Sequence, residues 1–226
     1  MVIQAVFFDI DDTLIQHSAA MHAATVALHG RLAADVPFDE FHARWKAAHD
    51  RHYRRFLRGE SSYLESSRDR VREALDPATT DAAADEIFAT YLSEYEDGWA
   101  LYTDVIPCLD RLRHVPLGVI SNGRTIEQKW KLKTLGVADR FRCVCVSEAL
   151  GIAKPASEIF LHACDELGVA PGEALYVGDQ YELDACAASA AGLQSVWLNR
   201  RGIEIQDRNV PMISSLDNLT IEMAGE

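Results

Sequence analysis

Val2-Ile3-Gln4-Ala5-Val6-Phe7-Phe8-Asp9-Ile10-Asp11-Asp12-Thr13 runs from an apolar stretch directly into an acidic cluster. The apolar part is too short for a buried helix, and its composition predicts a buried strand over Val2 to Phe8. Similar apolar runs recur at Leu117 to Ile120, Cys143 to Val146, Ala174 to Val177 and Ser195 to Leu198. Amphipathic stretches of about ten to fifteen residues separate them, one of which holds Ile159, Phe160, Ala163 and Leu167 and closes on Gly168 as a C-cap. Strand–helix alternation of this kind implies βαβ units, and so a parallel α/β sheet with helices on both faces.

From about Ser18 to Gly98 the texture is different, with no strand signal. Phe41, Trp45, Ala48, His52 and Phe56 recur at helical spacing after Pro37 and Asp39, and Gly59 stops the run. A second helix is expected around Leu64, Val71 and Leu75. A third, holding Ile87, Tyr91, Leu92 and Tyr95, is expected to begin near Thr80. The charged stretch His49 to Arg58 reads as a solvated helix face. The expected organisation is therefore a core of residues 1–15 and 101–226 with an all-helical insertion, 16–100, hinged around 14–18 and 98–105.

With 226 residues, 48% of them hydrophobic, the chain can bury roughly 70% of its unfolded surface and needs no staple. Lys plus Arg is 22 against 35 for Asp plus Glu, a net charge of -13 that repels nucleic acid at long range. No apolar stretch is long enough to span a bilayer, and Met1 to Phe8 lacks the marks of a signal peptide, so a cytoplasmic protein without membrane contact is expected. The five cysteines lack CxxC or CxxH spacing and suit reduced, buried thiols, Cys143 and Cys145 as two small core residues on one strand face.

In a parallel α/β sheet, polar groups just past the strand carboxyl ends meet in one crevice. After the first strand come Asp9, Asp11 and Asp12, and after the second Ser121-Asn122-Gly123. Lys154-Pro155 lies near the third, and Gly178-Asp179 followed by Asp184 comes after the fourth. Carboxylates so concentrated raise one another's pKa and resist joint ionisation unless a cation is present. Hard oxygen ligands call for Mg2+, which shares one or two carboxylates with a substrate phosphate; Asp9 and Asp179 can supply them. A lone Asp at a strand end is an ordinary helix cap or turn former, but capping does not explain Ser-Asn, Lys-Pro and Gly-Asp at successive strand ends.

At these residues the chain resembles the haloacid dehalogenase superfamily along essentially its whole length. Phe8-Asp9-Ile10-Asp11-Asp12-Thr13-Leu14 is similar to that family's first motif, Ile120-Ser121-Asn122-Gly123 to its second, Ala153-Lys154-Pro155 to its third, and Val177-Gly178-Asp179 with Asp184 to its fourth. The resemblance implies a Rossmann-like core and a helical C1 cap of the first subclass. It also implies Asp9 as nucleophile through an aspartyl-phosphate and Asp11 as general acid and base. Mg2+ would be held by Asp9, Asp179 and the Asp11 carbonyl, phosphate by Ser121, Asn122 and Lys154, and Asp184 would support Lys154 or a metal-bound water.

Asp11 discriminates among reactions, because dehalogenases and phosphonoacetaldehyde hydrolases of the family lack an acid there. The cap's one candidate Schiff-base lysine, Lys46, reads as a surface residue. Phosphomonoester hydrolysis is therefore expected, on a small phosphorylated metabolite, by a monomer or homodimer. A phosphosugar mutase and a catalytically idle binding protein are the alternatives. Ser121-Asn122-Gly123 with Gln128, Lys131 and Leu132, and later Val196-Trp197-Leu198-Asn199-Arg200, resemble the branch of pyrimidine 5′-nucleotidases and N-acylneuraminate-9-phosphatases, suggesting a nucleotide or sugar phosphate. Gln180 and Ala187 depart from the common pattern without touching the chemistry.

Overall fold

The computed structural model describes residues 2–221. The chain forms two compact units, one of Met1–Gln16 with Leu101–Glu226 and one of His17–Ala100.

The first unit is built on six parallel strands: β1 (Ala5–Phe8), β2 (Leu117–Ser121), β3 (Cys143–Val146), β4 (Ala174–Gly178), β5 (Gln194–Leu198) and β6 (Met212–Ile213). Their order is β3-β2-β1-β4-β5-β6. β1 has its sequence neighbour β2 on one side and β4 on the other, so the direction of winding reverses beside β1. In open α/β sheets that is where a crevice opens beyond the strand ends. All four side chains of β1 are buried, and they alternate between two layers. Val6 and Phe8 pack with Val119, Leu175, Val177 and Val196 beneath α5 (Val105–Arg111), while Ala5 and Phe7 pack with Ile120, Tyr176, Ile159 and Phe160. Gly118 is required by this packing, since a Cβ there would come within 2.6 Å of the Phe7 ring and 2.7 Å of Cys143 Sγ. Cys143 and Cys145 lie in the same buried layer, and among the described residues all cysteines are free thiols.

The helices α6 (Thr125–Thr134), α7 (Ser147–Leu150), α8 (Ser157–Leu167) and α9 (Ala187–Ala190) link the later strands. α8 ends on Gly168 at φ 67°, the left-handed C-cap expected there. A π-helical turn, Tyr181–Cys186, follows β4. Beyond β5, Arg200 forks onto Asp104 at 2.7 and 2.9 Å and donates to the Thr13 carbonyl at 2.9 Å, while Ser215 Oγ and the Leu216 amide also donate to Asp104. This buried knot ties the end of β5 to the segment leaving β1. β6 has two residues, too few for a sequence signal, and was not expected.

The second unit holds α1 (His17–Leu32), α2 (Phe38–Leu57), α3 (Tyr63–Ala74) and α4 (Asp81–Asp97). Phe41, Trp45, Ala48 and His52 form the buried face of α2. Ser62 and Glu65 close a capping box on α3, and Thr80 caps α4. The expected face of α3 needs correcting: Leu64 is exposed, and the buried positions are Ser66, Ser67, Arg70, Val71 and Ala74. Among the described residues no helix is long and apolar enough to cross a membrane.

Candidate active site

Asp9 follows β1 with its amide donating to the Val177 carbonyl at 2.9 Å, so the β1–β4 pairing extends one residue and fixes the Asp9 backbone. Asp179 follows β4, its carbonyl accepting from the buried Trp197 indole N–H at 2.8 Å. Lys154 reaches the same place from the loop after β3. The Asn122 side chain clamps that loop in both directions, accepting from the Lys154 amide at 2.8 Å and donating to its carbonyl at 3.0 Å. This commits the Asn122 amide group to holding Lys154, so any phosphate contact of Asn122 falls to its backbone. The Gly123 amide donates to Ser147 Oγ at 2.9 Å, and the Ser121 hydroxyl rests on the Asn122 carbonyl at 3.3 Å. The Gly123 amide is thereby engaged within the protein.

Lys154 Nζ donates to Asp9 Oδ1 at 2.7 Å, Asp184 Oδ1 at 2.6 Å and Tyr176 Oη at 3.0 Å. Asp184, fully buried on the π-helical turn, also accepts from Tyr176 Oη at 2.8 Å and, through Oδ2, from the Gln180 amide at 3.0 Å. Gly178 is the reason it fits: a Cβ there would meet the Asp184 carboxyl carbon at 2.4 Å. Asp184 thus has donors on both oxygens and acts on Lys154.

Carboxylate oxygens of Asp9, Asp179 and Asp184 lie within 4.8 Å of one another. Three buried carboxylates face one buried ammonium, with Arg201 Nη2 donating to Asp179 Oδ2 from the rim at 3.3 Å. The excess is negative, and the pKa values express it. Burial pushes the Asp9 carboxyl up to about 7, Asp184 and Asp11 adding to the shift and Lys154 opposing it. Burial, then Asp9 and Asp184, push Asp179 up to about 8. Burial works against the Lys154 charge, yet Asp184 and Asp9 outweigh it and raise its pKa. Asp179 Oδ1 is sealed from solvent with no hydrogen-bond partner among the described residues. An orphaned carboxylate oxygen beside a second carboxylate suits a hard divalent cation such as Mg2+.

Asp11, near enough to Asp9 to raise its pKa, is held from α6. Its Oδ1 accepts from Lys131 Nζ at 2.8 Å and its Oδ2 from Gln128 Nε2 at 2.9 Å, two donors from one face of α6. Lys131 is fully buried and also meets Glu127 at 3.0 Å. Tyr176, Gln128, Lys131 and Arg201 are the residues that sequence reasoning did not place at the site. Gln128 and Lys131 stood out only as markers of a family branch, and Tyr176 looked like one more core residue of an apolar run.

The family model for haloacid dehalogenase-like hydrolases matches residues 3–192. The chain is 33% identical over 213 residues to a glyceraldehyde 3-phosphate phosphatase of Methanopyrus kandleri, covering 88% of this chain and 85% of the relative. It is 29% identical over 224 residues to the N-acylneuraminate-9-phosphatase of Rattus norvegicus, covering 94% and 87%. In fold it is similar to a HAD-hydrolase of Bacillus subtilis, with a TM-score of 0.76 over 96% of each chain at 23% identity.

Proposed function

The chain belongs to the haloacid dehalogenase-like hydrolase family and is a phosphoric monoester hydrolase within it; we propose that it acts on a small phosphorylated metabolite, a sugar phosphate or nucleotide, through Asp9. The observation that carries this reading is the buried cluster in which Asp9 is held by Lys154 beside the orphaned oxygen of Asp179. The amide bond to Val177 fixes the Asp9 backbone and the hydrogen bond from Lys154 restrains its carboxylate, which favours the ordered approach that in-line attack requires.

Asp9 attacks phosphorus, forming a carboxylate–phosphorus bond as the ester P–O bond breaks, and Asp11 gives its proton to the leaving alkoxide. Water then attacks phosphorus, Asp11 takes a proton from it, and the bond to Asp9 breaks, returning free phosphate and enzyme. Lys154 offers positive charge beside the phosphoryl oxygens, and Asp184 with Tyr176 holds its ammonium in place. Asp9, Asp179 and the Asp11 carbonyl would hold Mg2+, which would supply the charge that offsets repulsion between the nucleophile and a phosphate dianion. Ser121 and the Asn122 backbone complete the phosphate contacts. The His17–Ala100 unit is assigned the role of the family's helical cap.

Phosphate release from nucleoside 5′-monophosphates, sugar and triose phosphates and an aryl phosphate, with Mg2+ or EDTA, tests the reading on wild type and Asp9→Asn. Release that requires both Mg2+ and Asp9 is expected. Isomerised sugar phosphate in place of free phosphate would assign a mutase instead. No turnover of any member would remove the catalytic reading.

A further inference from the structure

The helical unit contains a buried cation that forms no ion pair with a carboxylate among the described residues. Arg70, on α3, is 4% exposed. Its neighbours Arg68 and Arg72 pair with Asp81, Asp85 and Asp69. The acidic residues of the same turn are otherwise engaged, Asp69 also by Arg55 and Glu73 by Arg51 and His52. Arg70's own polar and ring contacts among the described residues are aromatic. Its guanidinium carbon rests in the notch between two rings, 4.2 Å from the centre of Trp45 and 4.5 Å from that of Tyr91, and Nη2 donates to Tyr91 Oη at 3.3 Å.

Two buried donors there have no acceptor among the described residues, Arg70 Nε and the Trp45 indole Nε1. Arg70 Nη1 also lacks a hydrogen bond among the described residues, but unlike Nε it is not sealed from solvent. Its N–H groups, which lie in the guanidinium plane, are therefore short of acceptors, while the two rings, their centres 5.1 Å apart, crowd it from one side. A buried charge without a partner is costly, and arginine cannot escape the cost by losing its proton.

We propose that Arg70 is the cationic base of an anion subsite in the helical unit, and that its ligand is a carboxylate group. A ligand that takes up the unpaired donors must do so in the guanidinium plane, where the fork of N–H groups matches the two oxygens of a carboxylate. A single cation balances a monoanion, whereas a phosphate dianion would bring one uncompensated charge into the same buried notch.

The test is thermal melting of the full chain with sodium propionate, pyruvate or D-glycerate, set against propionamide and glycerol. The carboxylates are expected to raise the melting temperature by roughly 5 °C at about a hundredfold excess over Kd, and the neutral analogues to leave it unchanged. Arg70→Met keeps the aliphatic bulk and is expected to melt at or above wild type without ligand and to show no carboxylate shift. Arg70→Lys keeps the charge but not the fork, and is expected to bind roughly tenfold more weakly. Absence of a shift in wild type, an equal shift in Arg70→Met, or clear destabilisation of unliganded Arg70→Met would each overturn the proposal.

A kinetic arm identifies the source of the carboxylate. A preference for 3-phosphoglycerate over glycerol 1-phosphate that collapses in Arg70→Met assigns it to the substrate, and an unchanged preference assigns it to a separate carboxylic acid. Carboxylate binding with no phosphate release from either compound would contradict the phosphatase reading and leave the subsite standing.

Discussion

Replacing Lys154 by methionine removes a charge that three groups depend on while nearly preserving volume. The side chain is 2% exposed, and its ammonium donates to Asp9, Asp184 and Tyr176. Asp184 keeps its bonds from Tyr176 and the Gln180 amide, so the loss falls mainly on Asp9, stranded in the interior. Breaking one side of a buried ion pair costs about 3–5 kcal/mol, and that range is expected at pH 8 in EDTA. The sign of the pH dependence follows from Asp9. Its folded pKa, about 7 with Lys154 present, already lies above the ordinary 3.8, and without Lys154 it rises further. A carboxyl with a raised folded pKa contributes most below its unfolded pKa, and that contribution is lost as pH climbs through the folded value. Wild type stops losing stability through Asp9 above about pH 7, whereas the variant continues to lose it. At pH 5.5, with Asp9 neutral in both, the gap shrinks to about 1–2 kcal/mol, the cost of missing hydrogen bonds. Urea unfolding at the two pH values, followed by the fluorescence of buried Trp197, measures both numbers. A variant as stable as wild type at pH 8, or one hurt more at pH 5.5, would refute the electrostatic reasoning.

Mg2+ is expected to raise the melting temperature more at pH 8.5 than at pH 6, because protons hold Asp9 and Asp179 up to about 7 and 8 and compete with the cation below those values; an equal or larger effect at pH 6, seen by calorimetry, would be inconsistent with binding at these carboxylates. Gly178→Ala places a methyl 2.4 Å from the Asp184 carboxyl carbon and is expected to cost about 1–3 kcal/mol in urea unfolding, with a loss of turnover that Ala substitution at exposed Gly30 does not share. Lys131→Met frees Asp11 from its anchor, so kcat on alkyl phosphates is expected to fall by more than tenfold and on an activated aryl phosphate much less, since only the former leaving group needs an acid; equal losses on both would show Lys131 to be merely structural.

How far the sequence discloses the molecule depends on which contacts are local. The α/β sheet was legible because a buried parallel strand leaves an uninterrupted apolar run, as at Cys143 to Val146, and because polar residues at its end are adjacent in sequence. The meeting of Asp9, Lys154, Asp179 and Asp184 follows from topology, which places every strand's carboxyl end on one edge. What stayed hidden joins distant positions through side chains. Nothing local marks the two-way clamp of Asn122 on the Lys154 backbone, although it is what delivers the lysine. Lys131 on an amphipathic helix looks solvated, yet its burial is made tolerable by Asp11 and Glu127 from two directions. Tyr176 sits where a strand wants an apolar ring, and only the fold shows its hydroxyl reaching Lys154 and Asp184. Leu64 misled for the converse reason: it lies two residues after the capping Ser62, on the side of the first turn of α3 that faces water.

The measurement that bears most directly on the central claim is acid quench of wild type mixed with the best substrate of the panel, followed by peptide mass spectrometry. A phosphoryl group on the peptide containing Asp9, present at early times and absent from Asp9→Asn, is the predicted result. Phosphate released at the normal rate with no phosphoryl group ever carried on Asp9 would contradict the account.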